Sequence, residues 1–243
     1  MQKEVITPYK SSSESKREQV EKMFDNVSGN YDFLNKIITF GMDKNWRNNV
    51  LKLISKNQPQ RILDIATGTG DMTILFSKTN ASKIVGVDIS QGMLDVANKK
   101  ISELQLSDRI STEVQDSEHL TFPDKSFDAA SVSYGIRNFE HLTVGLSEIH
   151  RVLNDGGVFV VLETSVPQNP LIRFGYTFYT KNVMPRIARL FSKDKSAYQY
   201  LSDSAIHFPY GEELKKILEN VGFKNVRVIP QFFGVSTIYY AEK

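Results

Sequence analysis

The chain has no cysteine among its 243 residues. Disulfides and thiolate metal sites are therefore excluded. Histidine is scarce too: His119, His141, His150 and His207 are scattered, without the spacing of a metal-ligand set. No run reaches the roughly eighteen apolar residues that a membrane span needs. Residues 1–20 are polar, rich in Ser, Lys and Glu, and lack the apolar segment of a secretory signal. An excess of one charge is also missing. The 30 Lys and Arg against 28 Asp and Glu leave a net charge of +2, which gives no whole-protein argument for nucleic acid. The expectation is a soluble, cytoplasmic protein with no metal and no nucleic-acid partner. What is present, 40% hydrophobic and 24% charged residues, suits a globular chain with a substantial core.

Residues 1–14 read as a mobile tail and 15–243 as one domain. Val20, Met23, Phe24 and Val27 lie at helical spacing. Further helical pieces at 31–38 and 44–55 complete a preface over 15–58, ending near Pro59. The chain then alternates. Strands read at 61–65, 83–88, 110–115, 127–133 and 158–163, and helices at 71–79, 92–104 and 142–153. Leu142, Leu146, Ile149 and Leu153 form the buried stripe of the last helix. Asn154-Asp-Gly-Gly157 reads as a sharp turn before the fifth strand. Residues 167–208 form a long aromatic and basic insert, helical in pieces. A helix at 212–220, stopped by Gly222, leads to two closing strands near 225–231 and 234–241, joined tightly at Phe233-Gly234. Such alternation predicts an α/β fold: a doubly wound, mainly parallel, Rossmann-like seven-stranded sheet.

The most informative stretch is Arg61-Ile-Leu-Asp-Ile-Ala-Thr-Gly-Thr-Gly-Asp71, followed by Lys83-Ile-Val-Gly-Val-Asp88. The first is an apolar strand running into a glycine turn, Gly68-Thr69-Gly70, where the backbone can approach a ligand closely. The second ends on Asp88, placed to accept hydrogen bonds from a ribose diol. Together they describe a nucleoside crevice at the strand ends. A dinucleotide fold wants a glycine where Thr73 stands. Asp64, ahead of the turn, fits the D-x-x-x-G-x-G pattern of S-adenosylmethionine (SAM) sites. An NAD-dependent oxidoreductase and a plain strand-to-helix turn remain the alternatives on these residues alone.

Further motifs follow in order. They are Met23-Phe-Asp-Asn-Val-Ser-Gly-Asn-Tyr-Asp-Phe-Leu-Asn35, then Gly41 and Trp46-Arg47, and later Phe122-Pro-Asp-Lys-Ser-Phe-Asp128. Tyr134-Gly-Ile-Arg-Asn138, Arg151-Val-Leu-Asn-Asp-Gly-Gly157 and Leu162-Glu-Thr-Ser-Val-Pro167 complete the set. With these the chain resembles class I SAM-dependent methyltransferases, and within them the ubiquinone/menaquinone biosynthesis C-methyltransferases, from about residue 20 to 241. Thr67 stands where that family usually has another glycine. The resemblance implies methyl transfer from SAM to a ring carbon of a polyprenylated quinol. Demethylmenaquinol is the expected acceptor, and the benzoquinol precursor of ubiquinone is the alternative. A SAM-fold binding protein without activity is the remaining rival.

On this reading Gly68, Thr69 and Gly70 lie under the methionine part of SAM, and Asp88 holds the ribose. Met93 lies against the adenine edge, although an apolar helix start is often simply core. Asp116 accepts from the adenine amine and the Ser117 N–H donates to the ring; an Asx-type turn is the alternative. Ser133, at a strand end, is a SAM contact or a buried serine satisfied by backbone. Arg137 stabilises the phenolate of the quinol, or else forms a structural ion pair. Tyr31 and Asp32 sit on a helix that can fold over the crevice. His119 and His141 read as surface residues rather than general bases. The insert carries Arg173, Lys181, Arg186, Arg189, Lys193 and Lys195 against Asp194. Interleaved with them are Phe174, Tyr176, Phe178, Tyr179, Phe191, Tyr198 and Tyr200. This pattern suggests either a solvated helical cap or a wall for the polyprenyl tail that touches a membrane surface. A homo-oligomer is left open.

Overall fold

The computed structural model describes residues 6–183, 186 and 195–243. Its frame is one seven-stranded sheet in the order β3-β2-β1-β4-β5-β7-β6. The strands are β1 (Arg61–Ile65), β2 (Lys83–Asp88), β3 (Ile110–Val114), β4 (Phe127–Ser133), β5 (Leu153–Thr164), β6 (Lys224–Gln231) and β7 (Ser236–Glu242). The first five run parallel, and β7 is antiparallel to both β5 and β6. Strand order reverses between β1 and β4, so a crevice opens there at the strand ends.

The apolar runs of the central strands are continuous because both faces are covered. Successive side chains go to opposite faces. Leu63, Ile65, Phe159, Val161 and Tyr239 pack with Leu146 and Ile149 of α6 (Leu142–Val152) and with Leu214 and Leu218 of α9 (Glu212–Val221). Ile62, Ile84, Val160 and Leu162 pack on the other face. There they meet Val50 and Ile54 of α3 (Asp43–Ser55), Met72 of α4 (Asp71–Leu75), and Ala97 and Ile101 of α5 (Gln91–Glu103). The helix read at 71–79 is shorter in the structure, giving way to a 3-10 turn at Phe76–Lys78.

One turn signal behaves differently from its local chemistry. Asn154 to Gly157 does not precede the fifth strand but lies inside it. Leu153 already pairs with Phe127, and pairing resumes at Val158 with Ala129 after a register shift. The glycines let the strand bulge and continue. Leu153, expected on the helix stripe, is therefore the first strand residue.

The preface forms α1 (Lys16–Val27), α2 (Tyr31–Ile38) and α3. A capping box starts α1: Ser15 Oγ accepts from the Glu18 N–H, and Glu18 accepts from the Ser15 N–H. Residues 6–14, read as tail, run beside α1, where the Tyr9 N–H donates to Gln19 Oε1 at 2.9 Å. Buried Val20, Met23 and Val27 face Met93 of α5 and Tyr200 of α8 (Lys195–His207). Within the insert, α7 (Pro170–Phe178) starts with Asn169 capping the Leu171 and Ile172 N–H groups and proline in its first turn. Arg189, Phe191, Lys193 and Asp194 lie outside the described residues, as do the side chains of Lys181, Lys195 and Tyr198.

Candidate active site

At the end of β1 the chain bends through Ala66, at φ 52, into the glycine turn. Asp64 points into the sheet beneath it. Its Oδ2 accepts from Thr67 Oγ1 at 2.7 Å and from Thr73 Oγ1 at 2.6 Å. Thr67, where the family usually has a glycine, and Thr73, where a dinucleotide fold would have one, therefore both bond one oxygen of a buried carboxylate, while Oδ1 has no partner among the described residues. Burial pushes Asp64 up to about 6 despite these bonds.

Asp88 ties the next strand end to this turn. Its Oδ2 accepts from the Gly68 N–H at 2.8 Å and its Oδ1 from the Ser90 N–H at 3.0 Å. The cap of α5 is not Asp88 but Ser90, whose Oγ accepts from the Met93 N–H. Burial also raises the Asp88 carboxyl to about 6. From β4 the chain passes through Tyr134, at φ 59, to Gly135. A Cβ on Gly135 would stand 2.4 Å from that of Ala66, so only glycine lets the two strand ends close together. Two non-glycine residues at positive φ mark this junction as strained.

A crevice follows these strand ends. Gly68, Asp88, Met93, Asp116, Ser117 and Ser133 line it; Thr69 and Gly70 do not. Thr69 turns away, its Oγ1 donating to Asp32 Oδ1 at 2.5 Å. Gly70, at φ 80, faces α5: an added Cβ would lie 2.9 Å from Ala97 Cβ. The close approach that glycine permits at this position is to a helix. Gly70→Val is expected to lower the melting temperature by several degrees, equivalent to about 1–3 kcal/mol of overpacking. Adding Ala97→Gly should recover part of that loss, and thermal unfolding of both variants checks it. Asp116 forms an Asx-type bond to the Glu118 N–H and an ion pair with Arg17 of α1 at 2.8 Å.

The helical preface closes over this crevice. Arg17, Val20, Phe24 and Tyr31 face into it and leave about 70 Å³ of space. Asp25, which the sequence did not single out, accepts from Ser90 Oγ at 2.6 Å and the Gly92 N–H at 2.9 Å. Asp32 pairs with Lys100 at 2.5 Å, and Lys100 and Arg47 both reach Asp71. Lys16 Nζ donates to the carbonyls of Arg137 and Phe139, and burial lowers its pKa to about 8.

Beside the crevice lies a second, larger cavity of about 480 Å³. Its wall is mostly apolar and aromatic: Ile38, Met42, Trp46, Ile172, Tyr176, Tyr179, Leu201 and Val235. Tyr31 and Tyr134 line both spaces. Arg137 lines the second, where its Nη1 donates to Glu163 Oε1 at 2.5 Å and to the Tyr134 carbonyl at 2.8 Å. Burial, the largest single influence, pulls the guanidinium down, but the charge and hydrogen bond of Glu163 together with Tyr31 and Tyr200 hold Arg137 above its usual range. Tyr200 of α8 donates to Asn138 Oδ1 at 3.0 Å. His141, bonded to Glu118 at 2.9 Å, and His119 stay exposed, and neither lines either space.

A family model described as the ubiE/COQ5 methyltransferase family matches residues 12–243. The chain belongs to this family. It is 43% identical over 241 residues to the demethylmenaquinone methyltransferase of Bacteroides fragilis, covering 99% of this chain and 98% of that protein. It is 40% identical over 240 residues to the ubiquinone/menaquinone biosynthesis C-methyltransferase UbiE of Geobacter sulfurreducens, covering 98% and 93%. Among solved structures, a SAM-dependent methyltransferase from Aquifex aeolicus superposes with a TM-score of 0.58 at 19% identity, covering 81% of this chain and 88% of that one. That likeness speaks for the fold of this ubiE/COQ5 family member and not for its substrate.

Proposed function

We propose that the chain transfers a methyl group from SAM to a ring carbon of a polyprenylated quinol, with demethylmenaquinol as the acceptor. The observation that carries this is the pair of adjoining spaces. A narrow crevice at the strand ends, with the carboxylates of Asp88 and Asp116 on its wall, meets an apolar cavity of about 480 Å³, and Tyr31 and Tyr134 belong to both. The crevice suits a nucleoside: Asp88 would hold the ribose diol, Asp116 and Ser117 the adenine, Met93 its edge, and Gly68 and Ser133 the methionine end. Bound SAM supplies an electrophilic methyl group. Because the crevice holds only about 70 Å³, α1 and α2 must draw back to admit a nucleoside. The larger cavity suits an isoprenoid aromatic ring, and Arg137 on its wall stabilises the ring oxygen as its proton leaves. The dinucleotide alternative has no support: the family and relatives are methyltransferases, and Thr73 is committed to Asp64.

Titration of the purified protein with SAM, followed by methyl transfer assays on short-chain demethylnaphthoquinol and methoxybenzoquinol acceptors, tests the reading. Methylated naphthoquinol by mass spectrometry is the expected product. Methylation of the benzoquinol alone would move the acceptor to the ubiquinone precursor, and methylation of neither would end the proposal.

The proposal extends to a membrane surface, where such a substrate resides. No helix among the described residues is long and apolar enough to cross a membrane. One face of α7 lines the cavity with Ile172 and Tyr176, while Leu171, Phe174 and Phe178 stand exposed on its other face, at 80%, 73% and 57%. Phe40 and Phe232, which also line the cavity, are likewise exposed. An apolar rim, rather than the basic stripe alone, supports shallow insertion beside the cavity. Part of the protein is expected to float with anionic vesicles at low ionic strength, and Phe174→Ser with Phe178→Ser should reduce that fraction severalfold. Absence of any lipid-bound protein at low salt would exclude the contact.

A further inference from the structure

Glu163, at the end of β5, is 1% exposed, and its partner Arg137 is 8% exposed. Burying two opposite charges costs several kcal/mol per ion before pairing returns it, so stability alone is a weak reason to keep such a pair. The contact also differs from a structural clamp, in which guanidinium and carboxylate usually fork through two parallel bonds. Here both hydrogen bonds of Arg137 leave from Nη1, and Nε has no partner among the described residues. Glu163 Oε1 is held from its own strand by the Thr164 N–H at 2.7 Å and Oγ1 at 3.1 Å, while Oε2 is left unpartnered. The carboxylate is thus fixed to the sheet, and the guanidinium hangs from one of its oxygens at the wall of the apolar cavity.

We propose that Glu163 is the positioning residue of Arg137: it fixes the guanidinium at the cavity wall and offsets its charge, and so sets the acidity of an aromatic hydroxyl bound there. This rests on the quinol reading of the cavity. An uncompensated cation in so dry a place would acidify the hydroxyl further, but an oxyanion held too tightly is a poorer electron donor to its ring. The pair tunes between these limits.

The groups facing the pair are Tyr31, Tyr134, Tyr176, Tyr200 and Tyr239, with Lys16 bonded to the Arg137 carbonyl. Burial holds all five tyrosines above their ordinary range, so they stay neutral near pH 7. Lys16 titrates near 8, and the comparison is therefore between proteins that all carry it.

The probe is 1-naphthol, whose bound anion is read by absorbance during a pH titration. Glu163→Gln keeps the shape and an acceptor for Arg137 but removes the charge. It should lower the ionisation midpoint of bound naphthol by about one pH unit or more. The acid limb of kcat on short-chain demethylnaphthoquinol should move the same way, with SAM affinity unchanged. Glu163→Asp keeps the charge, so the midpoint should return to that of the parent while kcat stays reduced by the shorter reach. A midpoint in Glu163→Gln equal to the parent's, or an Asp variant that follows Gln, overturns the proposal. If Glu163→Gln does not fold, the parent alone decides. A bound midpoint within about one unit of that in water supports an offset charge, and a fall of about three units refutes it. Naphthol that moves as expected in a protein that methylates neither quinol leaves Glu163 in its role and removes only the quinol reading. Failure of the parent to bind naphthol removes both.

Discussion

Replacing Arg137 with alanine is expected to lower kcat for quinol methylation by about 10²-fold while leaving SAM affinity nearly unchanged. The reason lies in where the guanidinium sits: on the wall of the cavity proposed for the quinol and absent from the lining of the crevice proposed for SAM. Its removal takes away the charge that favours the ring oxyanion. It also leaves Glu163 buried with an unpaired charge that disfavours the same anion. Both effects raise the pKa of the bound hydroxyl, so the pH–rate profile should move to higher pH. Truncating one partner of a buried pair costs about 3–5 kcal/mol of stability, so folding must be checked by circular dichroism before rates are compared. Arg137→Lys is the milder test. It keeps a charge but not the planar guanidinium, and should reduce kcat by roughly 10-fold. Normal turnover by the alanine variant, or loss of SAM binding together with activity, would make Arg137 structural. The search for the activating group would then begin at Tyr31 and Asp32.

The sheet is legible in the sequence for a simple physical reason. Strands covered on both faces are near-continuous apolar runs with charge confined to their ends and to site positions such as Asp64, as in Arg61–Ile65 and Lys83–Asp88, and the helices between them carry one stripe. The bulge at Asn154 to Gly157 is misread because turn chemistry is local, whereas strand pairing with Phe127 is not. The crevice is largely legible because strand ends and the turns after them are fixed by spacing. Gly70 shows what spacing leaves open. A glycine says that something comes close, and only the fold says that it is Ala97. What sequence does not carry is the meeting of distant residues. Glu163 lies 26 positions from Arg137, and Asp25 lies 65 from Ser90. The motif Leu162-Glu-Thr-Ser-Val-Pro167 contains Glu163 without revealing what it faces. The apolar cavity is assembled from α2, α3, α7 and α8, and no single periodicity describes it.

Asp88→Ala is expected to weaken SAM binding by about 1.5–3 kcal/mol, roughly 10- to 150-fold in Kd. The carboxylate makes two bonds to its own backbone, to the Gly68 and Ser90 N–H groups, and has acceptor capacity left toward the crevice. Its removal therefore acts twice, by deleting the acceptor for a ribose diol and by releasing the turn at Gly68. Asp88→Asn separates the two effects. It keeps one carbonyl acceptor and loses the charge, so its affinity should fall between those of alanine and the parent. The pH dependence gives an independent reading. Burial raises the Asp88 carboxyl to about 6, so near pH 7.5 it is ionised and, on the proposed placement, would accept from both ribose hydroxyls. Donor hydroxyls favour the ionised form, so ligand binding should draw this pKa down and release a fraction of a proton at pH 6. By the same linkage, affinity should be steady above about pH 7 and fall as the pH drops through 6. Calorimetry in buffers of different ionisation enthalpy measures both quantities. In Asp88→Asn the proton release and the decline near pH 6 should disappear together. Unchanged SAM affinity in Asp88→Ala would place the ribose elsewhere. A decline that persists undiminished in Asp88→Asn would assign the titration to another group, with buried Asp64 beneath the glycine turn the first to examine.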